Sequence, residues 1–358
     1  MMAIFQSDDD NAKIETSLSL GQEFLSGNWN LLTKEDLEIR KILGGQSNLL
    51  HLVSTNSNKL KDDETRKFLI RVHCQPLTPH QISQDTLVFA VLAERGLGPK
   101  IYGFFEGGRL EEYLESKTLT EGDYLSVDNA KKIGAKLQKL HLLRIPISKR
   151  PQCFLKMREW LEDFRKEGGE SHEIVQTHVN YENIPTSMTI ADLENELNLF
   201  EQMCAAVFAN TVVFCHNDLA AMNILELESN GEMLFIDFEY SSYNWRGFDL
   251  GMHLSEYAWD YRTNVEPFYL LDASLYENNP NLRVFCSSYL NSPNCDELME
   301  ECRFFWPVCN MFYAIWALRS YQKGYDNGMN LRANCSDRLA LYFYLKNKSI
   351  DIYNRRRV

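Results

Sequence analysis

No stretch of this 358-residue chain is apolar for the roughly 20 residues that a membrane-spanning helix needs. The start of the chain lacks a basic region followed by an apolar core, and its run Asp8-Asp9-Asp10 is acidic, so we expect no secretory signal peptide. The chain also contains no internal repeat and no low-complexity tract. These absences predict a cytoplasmic, globular protein with no stable insertion into a membrane.

Cysteine pairs and an excess of basic residues are also missing. The nine cysteines form no CxxC pair and do not cluster with histidines, so reduced thiols in a cytosolic protein are the simplest interpretation. Lys and Arg together number 37 against 50 Asp and Glu, which gives a net charge of −13. That charge argues against nucleic acid as a partner and is compatible with a cationic small-molecule substrate.

The second half of the chain contains a strong β-hairpin signal. Two apolar runs flank Asn230-Gly231, a pair that is typical of a two-residue hairpin loop. The runs are Ile224-Leu225-Glu226-Leu227 and Met233-Leu234-Phe235-Ile236. If Asn230-Gly231 forms the loop, Ile224 lies opposite Asp237, and Asn223 lies within one residue of Asp237. The sequence therefore predicts that Asn223 and Asp237 are close enough to hold one cation.

A third polar residue, Asp218, precedes this hairpin and follows the apolar run 212–215. In kinase-type phosphoryl transfer, a first aspartate orients the acceptor hydroxyl, and an asparagine and a second aspartate hold Mg²⁺ on the nucleotide phosphates. Each of these residues alone is common in turns, so the alternative is a structural role. The spacing favours Asp218 as the catalytic residue and Asn223 and Asp237 as metal ligands. His216 is predicted to be a buried orienting residue.

A glycine-rich segment in the first part of the chain is the candidate phosphate-binding loop. It lies between two predicted strands and consists of Gly44, Gly45, Gln46, Ser47 and Asn48. Glycine allows the backbone to approach a phosphate closely, and Ser or Asn adds hydrogen-bond donors. Arg71 on the following strand has a planar, charged group that suits phosphate oxygens. The structural alternatives are a plain hairpin turn for the loop and a solvated strand residue for Arg71.

Hydrophobic spacing predicts strands and one helix first, and mainly helices afterwards. We predict an α+β, bilobal, protein-kinase-like fold, with a small, mostly β N-lobe that carries one helix and a larger, mostly helical C-lobe. The predicted parts are a flexible acidic N-terminus over 1–15, an N-lobe over 16–106, a hinge over 107–113 and a C-lobe over 114–358. Residues 166–190 are polar and are predicted to form a surface loop or an insert.

Three segments of the chain resemble the choline/ethanolamine kinase family. They are residues 92–103 (LAERGLGPKIYG), residues 216–225 (HNDLAAMNIL) and residues 236–249 (IDFEYSSYNWRGFD). The likeness runs from residue 40 to residue 345, with a variable middle. It implies a kinase-like fold, ATP, Mg²⁺ and, as in that family, a homodimer. The implied reaction moves the γ-phosphoryl group to the hydroxyl of choline, ethanolamine or both, the first step towards phosphatidylcholine or phosphatidylethanolamine.

The resemblance implies a role for each matching residue. Asp218 orients or deprotonates the acceptor hydroxyl, and Asn223 and Asp237 bind Mg²⁺. Glu239 is implied to support the metal site or to bind a second metal ion. Asp249 is implied to hold the catalytic loop rather than to take part in the chemistry.

On the nucleotide side, the resemblance implies that Arg71 and the 44–48 loop bind the phosphate groups. The link that leaves the predicted sheet is implied to border the adenine. Its residues are Gly107, Gly108, Arg109, Leu110, Glu111 and Tyr113.

A quaternary ammonium group is held by aromatic faces and carboxylates, because it cannot donate hydrogen bonds. For this pocket the resemblance implies Glu256, Tyr261, Tyr313 and Trp316. Tyr313 stands where the family typically has tryptophan, and a further family tyrosine falls at Asn334. The aromatic cage is therefore expected to be thinner than in the family, which would favour ethanolamine over choline. The structural alternative for Tyr313 and Trp316 is ordinary helix packing.

Two alternative functions stay open at this level. One is a kinase of the same fold that acts on another small amino alcohol. The other is a catalytically inactive pseudokinase scaffold, which the replaced family positions Ala220, Met222 and Met252 keep open. The intact catalytic and metal-binding positions oppose that second alternative.

Overall fold

The computed structural model describes residues 2–42, 48–73, 78–325 and 328–357. The chain divides into two units, one formed by residues 1–116 and 227–229 and the other by residues 117–226 and 230–358. Each unit has its own hydrophobic core.

Five antiparallel strands form the sheet of the first unit, in the spatial order β1-β2-β3-β5-β4. They are β1 (Glu38–Ile42), β2 (Asn48–Ser54), β3 (Lys67–His73), β4 (Ile101–Phe105) and β5 (Gly108–Glu112). Alternate residues of β3 enter the core, where Phe68, Ile70 and Val72 are fully buried together with Leu110 of β5. These strands therefore have the period of two that a sheet with one buried face requires.

Among its described residues, the first unit has the α-helices α1 (Met2–Gln6), α2 (Asp10–Phe24) and α3 (Pro79–Glu94). Helix α1 and the first part of α2 therefore lie within residues 1–15, the segment predicted to be a flexible N-terminus. Asp9 caps α2 by accepting a hydrogen bond from the Ala12 backbone N–H. Phe5 is buried in the core of the unit, and its ring lies 5.0 Å from the His51 ring. A helix cap and one buried aromatic residue thus order the acidic start of the chain.

Residues 107–113, predicted to form the hinge, are mainly part of the sheet. Strand β5 lies between β3 and β4 and pairs with both. Gly107 has a left-handed backbone, with φ 89°, which fits a tight turn between β4 and β5. Gly108 has no room for a side chain, because a Cβ atom there would lie 2.1 Å from the Arg71 backbone oxygen. The two glycines therefore make a hairpin turn, and the predicted lobe boundaries stay predictions.

The second unit is mostly helical. Its helices are α4 (Glu121–Tyr124), α5 (Val127–His141), α6 (Cys153–Lys166), α7 (Ile190–Val207), α8 (Arg246–Ser255), α9 (Leu282–Leu290), α10 (Asp296–Gln322) and α11 (Leu331–Arg356). The strands that begin at residue 116 or later are β6 (Ser116–Thr118), β7 (Ser171–Glu173), β8 (Ser187–Thr189), β9 (Val212–Cys215), β10 (Ile224–Leu227), β11 (Met233–Phe235), β12 (Ser242–Trp245), β13 (Trp259–Asp260) and β14 (Leu270–Leu271). They form a three-stranded sheet in the order β11-β10-β6 and the pairs β12-β9, β13-β14 and β7-β8.

The long helix α10 is the central element of this unit, and most of its residues are buried. It packs against α6, α8 and α11. Aromatic side chains such as Phe304, Phe305 and Phe312 fill the core. Within the described ranges the eight cysteines are all free and buried, as expected for reduced thiols. Among the described residues, no helix is both long enough and apolar enough to cross a membrane.

Residues 166–190, predicted to form a surface loop or an insert, contain the short hairpin β7-β8. A buried side chain of α11, Asp337, anchors the segment. Asp337 accepts hydrogen bonds from the backbone N–H groups of Thr177, at 2.7 Å, and His178, at 3.1 Å. The segment is therefore held against the helical core rather than projecting from it.

Candidate active site

A buried aspartate in the first turn of α8, Asp249, holds the loop that follows β9. Its carboxylate accepts hydrogen bonds from the backbone N–H groups of His216, at 2.8 Å, and Asn217, at 2.7 Å. The imidazole of His141 donates to the same carboxylate at 2.9 Å. Burial alone would raise the pKa of Asp249, but the hydrogen bond and charge from His141 help to outweigh burial and lower it. The structure thus confirms that Asp249 holds the loop.

The first two residues of this loop connect it to the segment after β11. His216 is buried, and its Nε2 donates to the Ile236 backbone oxygen at 2.8 Å, which confirms its predicted orienting role. Asn217 has a left-handed backbone, with φ 66°, a conformation that asparagine tolerates better than most residues. Its side chain donates to the Tyr240 backbone oxygen at 2.9 Å and accepts from Asn244 at 3.0 Å. These hydrogen bonds hold Asn217, the residue directly before Asp218, in place.

The hairpin β10-β11 has a different register from the predicted one. Ile224 pairs with Phe235 instead of lying opposite Asp237, so the predicted two-residue loop of Asn230-Gly231 is wrong. The Asn230 side chain accepts a hydrogen bond from the Glu232 backbone N–H at 2.9 Å. Such a side-chain turn competes with the tight hairpin loop and makes the connection longer.

Asn223 and Asp237 are nevertheless close along the paired backbones. The Ile236 backbone N–H donates to the Asn223 backbone oxygen at 3.0 Å, so Asn223 lies opposite the residue before Asp237. The predicted register put it opposite the residue after Asp237. The observed and predicted registers differ by two positions, and in both of them Asn223 lies opposite a direct neighbour of Asp237. The prediction that Asn223 lies within one residue of Asp237 is therefore confirmed. Asp237 itself has a left-handed backbone, with φ 63°.

Asp218, which is half-buried, contacts two other predicted site residues. Asn223 Nδ2 donates to the Asp218 backbone oxygen at 2.8 Å and to its Oδ2 at 3.2 Å. The Tyr313 hydroxyl donates to Asp218 Oδ1 at 2.6 Å. The structure therefore brings the predicted catalytic residue together with one predicted metal ligand and one predicted substrate residue.

Negative charge accumulates around Asp218. Burial raises the pKa of its carboxyl, the hydrogen bond from Tyr313 opposes this, and the charges of Asp237, Glu239 and Glu256 add to the rise, so the pKa lies well above its usual range. A bound cation would reverse both effects, because it stabilises the charged carboxylate. The site is therefore electrostatically suited to positively charged ligands.

The predicted substrate residues Glu256, Tyr261 and Tyr313 meet around Arg338 of α11. Arg338 Nη2 donates to Glu256 Oε1 at 2.9 Å and to the Tyr261 hydroxyl at 2.7 Å. The Tyr261 hydroxyl donates to Glu256 Oε2 at 3.0 Å. The guanidinium carbon of Arg338 lies 4.4 Å from the centroid of the Tyr313 ring. These residues form one cluster that reaches Asp218 through Tyr313.

Arg338, Trp259 and Tyr240 contact this cluster or Trp316, and the sequence analysis did not include them among the candidate site residues. The Trp259 ring centroid lies 3.9 Å from the Arg338 guanidinium carbon. Burial raises the pKa of Tyr240 well above its usual range, and the Tyr240 hydroxyl accepts a hydrogen bond from the indole N–H of Trp316. Tyr240 lies within the 236–249 motif, which is a signal that could have identified it. For Arg338 the available signal was its position in an apolar helical stretch. An arginine in such a stretch is expected to be buried, and a buried arginine is expected to have a charged partner.

In the first unit, Arg71 belongs to a buried cluster of ion pairs. Arg71 Nε donates to Glu111 Oε1 at 2.7 Å, and Arg109 Nε donates to the same oxygen. Arg109 also pairs with Asp85 at 3.1 Å. Arg71 and Arg109 lie opposite each other on β3 and β5, and Glu111 follows on the same face. Burial would raise the pKa of Glu111, but the two arginines outweigh burial and lower it to about 2.

The other predicted nucleotide-binding residues are scattered over the same sheet. Asn48 begins β2, and its Oδ1 lies 3.0 Å from His73 Nδ1, whereas residues 44–47 lie outside the described residues. Leu110 is fully buried in the core, so only its backbone is available to a ligand. Tyr113 follows β5, and Lys67 Nζ lies 5.6 Å from its ring centroid. Nucleotide binding by these residues stays a prediction.

Residues 39–343 match the family model described as choline/ethanolamine kinase. The chain belongs to the choline/ethanolamine kinase family. It is 42% identical to choline kinase B2 of Caenorhabditis elegans, over 97% of this chain and 96% of that protein. It is 32% identical to a choline/ethanolamine kinase of Rattus norvegicus, over 78% of this chain and 70% of that protein.

Solved structures with little sequence identity share the fold of this choline/ethanolamine kinase family member. The choline kinase of Cryptosporidium parvum gives a TM-score of 0.72 at 19% identity and covers 94% of this chain and 96% of that one. The ethanolamine kinase of Plasmodium vivax gives a TM-score of 0.68 at 18% identity and covers 97% and 99%. The predicted protein-kinase-like fold is confirmed. Kinase families use ATP and a divalent metal ion in general.

Proposed function

We propose that this protein transfers the γ-phosphoryl group of ATP to the hydroxyl of choline, ethanolamine or both, with Mg²⁺ as the metal ion. The observation that carries the proposal is the environment of Asp218. Its carboxylate accepts hydrogen bonds from Asn223 and the Tyr313 hydroxyl, and burial together with three further carboxylates raises its pKa. A proton acceptor, metal-binding oxygens and an aromatic side chain are thus gathered at one point.

The residues present fit a Mg²⁺ ion. The side chain of Asn223 uses its amide nitrogen towards Asp218, and its amide oxygen is the atom that an asparagine offers to a hard cation. Asp237 supplies carboxylate oxygens, and Glu239 is our candidate for supporting the metal site or binding a second ion. Magnesium sites of kinases combine one or two carboxylates with phosphate oxygens and water. When bound, Mg²⁺ and ATP supply the transferable phosphoryl group and neutralise the charge that develops on it.

Asp218 is the proposed catalytic residue. The Tyr313 hydroxyl holds one of its carboxylate oxygens and Asn223 holds the other, so the group is fixed before the acceptor arrives. The carboxylate would orient the acceptor hydroxyl and take its proton as the oxygen–phosphorus bond forms. The buried Asp249 supports this geometry, because it anchors the two residues that precede Asp218.

The cationic group of the acceptor is proposed to lie against Tyr313 and Trp316. Aromatic faces attract an ammonium group, and the carboxylates of Asp237 and Glu239 near Asp218 add a favourable charge. Glu256 and Tyr261 are proposed to border the same pocket, since both contact Arg338, which lies against the Tyr313 ring.

On the nucleotide side, we propose that Arg71 and segment 44–48 hold phosphate groups and that the chain from Gly107 to Tyr113 borders the adenine. The buried Glu111 supports the role of Arg71, because it accepts from Nε and so orients the guanidinium group. The homodimer, the cytoplasmic location and the place in phospholipid synthesis that the family resemblance implies stay predictions.

The test is ATP-dependent phosphorylation of choline and of ethanolamine by the purified protein, with Asp218→Asn as the paired variant. We expect turnover that requires Mg²⁺ and is lost in the variant. The ratio of the two kcat/KM values then gives the acceptor preference. No turnover with either acceptor, while Mg·ATP still binds, would contradict the proposal and favour another amino alcohol or a pseudokinase.

A further inference from the structure

Arg338 places a positive charge of the protein itself inside the cluster of aromatic and acidic residues expected to receive the acceptor. It is 1% exposed, and its guanidinium carbon lies 3.9 Å from the Trp259 ring centroid and 4.4 Å from the Tyr313 ring centroid. Two aromatic faces and a carboxylate around a cation are the features by which proteins bind quaternary ammonium ligands. Here a side chain of α11 already makes those contacts.

The negative charge of Glu256 is consequently balanced by side chains of the protein itself. One of its oxygens accepts from Arg338 at 2.9 Å, and the other accepts from the Tyr261 hydroxyl at 3.0 Å. Glu256 is 3% exposed, so this pair lies in a medium where charges interact strongly. A buried carboxylate with both oxygens occupied and a guanidinium at contact distance has little attraction left for a second cation.

Arg338 also connects this ion pair to the catalytic aspartate. It lies against the ring of Tyr313, whose hydroxyl donates to Asp218 Oδ1 at 2.6 Å. A buried charged pair with a planar donor group is a rigid support, because every departure from its geometry exposes an unpaired charge. The position of the Tyr313 ring is therefore tied to the Glu256–Arg338 pair.

We propose that Arg338 is a positioning residue for phosphoryl transfer, and that Glu256 is the counter-ion of Arg338 rather than of the acceptor. This inference rests on the proposed function and specifies how its acceptor site works. Arg338 fixes Tyr313, and Tyr313 fixes the carboxylate of Asp218. The acceptor's positive charge is then recognised on the Asp218 side of the cluster, and Glu256 does not decide between charged and uncharged acceptors.

The test compares choline with its uncharged tert-butyl analogue, in which carbon replaces nitrogen. The ratio of the two kcat/KM values measures how strongly the enzyme recognises the acceptor charge. The variants are Glu256→Gln, Arg338→Lys and Arg338→Met, and the double variant Arg338→Met/Glu256→Gln. Arg332→Met, which changes an exposed arginine of the same helix, is the matched control.

For Glu256→Gln we expect the choline-to-analogue ratio to stay within about threefold of the wild-type value. Arg338→Met should lower kcat by about two- to tenfold for both acceptors equally, because it disturbs the Tyr313 hydrogen bond through which Arg338 acts on Asp218. Arg338→Lys should keep part of the activity, and the double variant should recover some of it, because its glutamine carries no unpaired charge. The control should match the wild type.

Two results would overturn the inference. A loss of charge recognition of about tenfold in Glu256→Gln would make Glu256 the acceptor's counter-ion. A wild-type kcat in folded Arg338→Met would remove Arg338 from the positioning of Asp218. If Arg338→Met does not fold, Arg338→Lys decides the same point, since an unchanged kcat there contradicts the need for a planar guanidinium. Failure of the wild type to phosphorylate any acceptor would instead contradict the proposed function, and this inference with it.

Discussion

Two aspartates of the second unit, Asp249 and Asp218, have surroundings that shift their pKa in opposite directions. Burial pushes the pKa of both carboxyls upwards. For Asp249, His141 and the backbone N–H groups at the start of the loop outweigh burial, and the pKa falls. For Asp218, neighbouring carboxylates add to the effect of burial, the Tyr313 hydroxyl does not outweigh them, and the pKa rises.

The difference indicates that the two carboxylates at this loop contribute oppositely to the stability of the native state. A buried carboxylate that receives donors from the protein stabilises the native state, whereas one that is surrounded by like charges destabilises it until a cation binds. Asp249 therefore holds the shape of the loop, whereas the environment of Asp218 supports its proposed role in the reaction. Neutralising each aspartate should change the free energy of unfolding differently, and four variants can break or sharpen this contrast.

Asp218→Asn is expected to have the largest effect on turnover. We expect kcat to fall by about 10²- to 10⁴-fold, because an amide cannot take the proton of the acceptor hydroxyl. The free energy of unfolding should stay the same or rise, because a charge repelled by its neighbours is removed. Initial rates with choline and ethanolamine, and chemical denaturation, measure the two quantities. Turnover within about threefold of the wild type would remove Asp218 from the chemistry.

Asp249→Asn should reverse that pattern and reduce stability first. We expect the free energy of unfolding to fall by about 3 kcal/mol, because the amide leaves buried donors without an acceptor. Asp128→Asn, at an exposed position of α5, is the control and should change stability by less than about 0.5 kcal/mol.

The contribution of Asp249 should also depend on pH. Since its pKa lies below the usual value of 3.8, the stabilisation is complete above that pH and is lost as the pH falls below it. The difference in stability between the wild type and Asp249→Asn should therefore shrink in strong acid. A difference that is constant from neutral pH to acid would contradict the assignment.

Asn223→Ala is expected to raise the Mg²⁺ concentration needed for half-maximal rate. The increase should reach at least about tenfold, the cost of losing even an outer partner of a metal site. Titration of the rate with Mg²⁺ at saturating ATP measures it, with Asn198→Ala on the surface of α7 as the control. An unchanged magnesium dependence would take Asn223 out of the metal site and leave it only its hydrogen bonds to Asp218.

Tyr313→Phe should have the smallest effect. One hydrogen bond to Asp218 is lost, so we expect kcat to fall by about two- to tenfold while the stacked ring remains. Choline and ethanolamine should be affected alike, because the hydroxyl contacts Asp218. Tyr321→Phe, at an exposed position of the same helix, is the control. A change confined to one acceptor would place the hydroxyl of Tyr313 in the acceptor pocket instead.

Local sequence patterns predicted the core of this site, because its residues are close along the chain. Asn223 and Asp237 are joined by one short hairpin, so their proximity survived an error of two positions in the register. The error itself came from the Asn230 side chain, whose hydrogen bond to the Glu232 backbone competes with the tight turn. The orienting role of His216 followed from the same short segment.

Contacts between distant segments could not be predicted in this way. Arg338 meets Glu256 and Tyr261 only after α11 has packed on α10, and nothing in its immediate neighbourhood identifies those partners. The ordered start of the chain depends in the same way on the burial of Phe5 in the first unit. Charge and periodicity describe a segment, but they do not say which other segment it will pack against.

The left-handed backbones of Asn217 and Asp237 imply a trade-off between stability and activity at this site. Each has a positive φ, 66° and 63°, a conformation that Asn and Asp adopt more readily than most residues but less readily than glycine. Glycine at position 237 would relieve the backbone and remove a carboxylate that repels Asp218, so it should make the protein more resistant to heat and inactive. Selection for thermal stability alone would therefore drive this chain towards sequences that no longer react, and any engineering programme has to select for turnover at the same time.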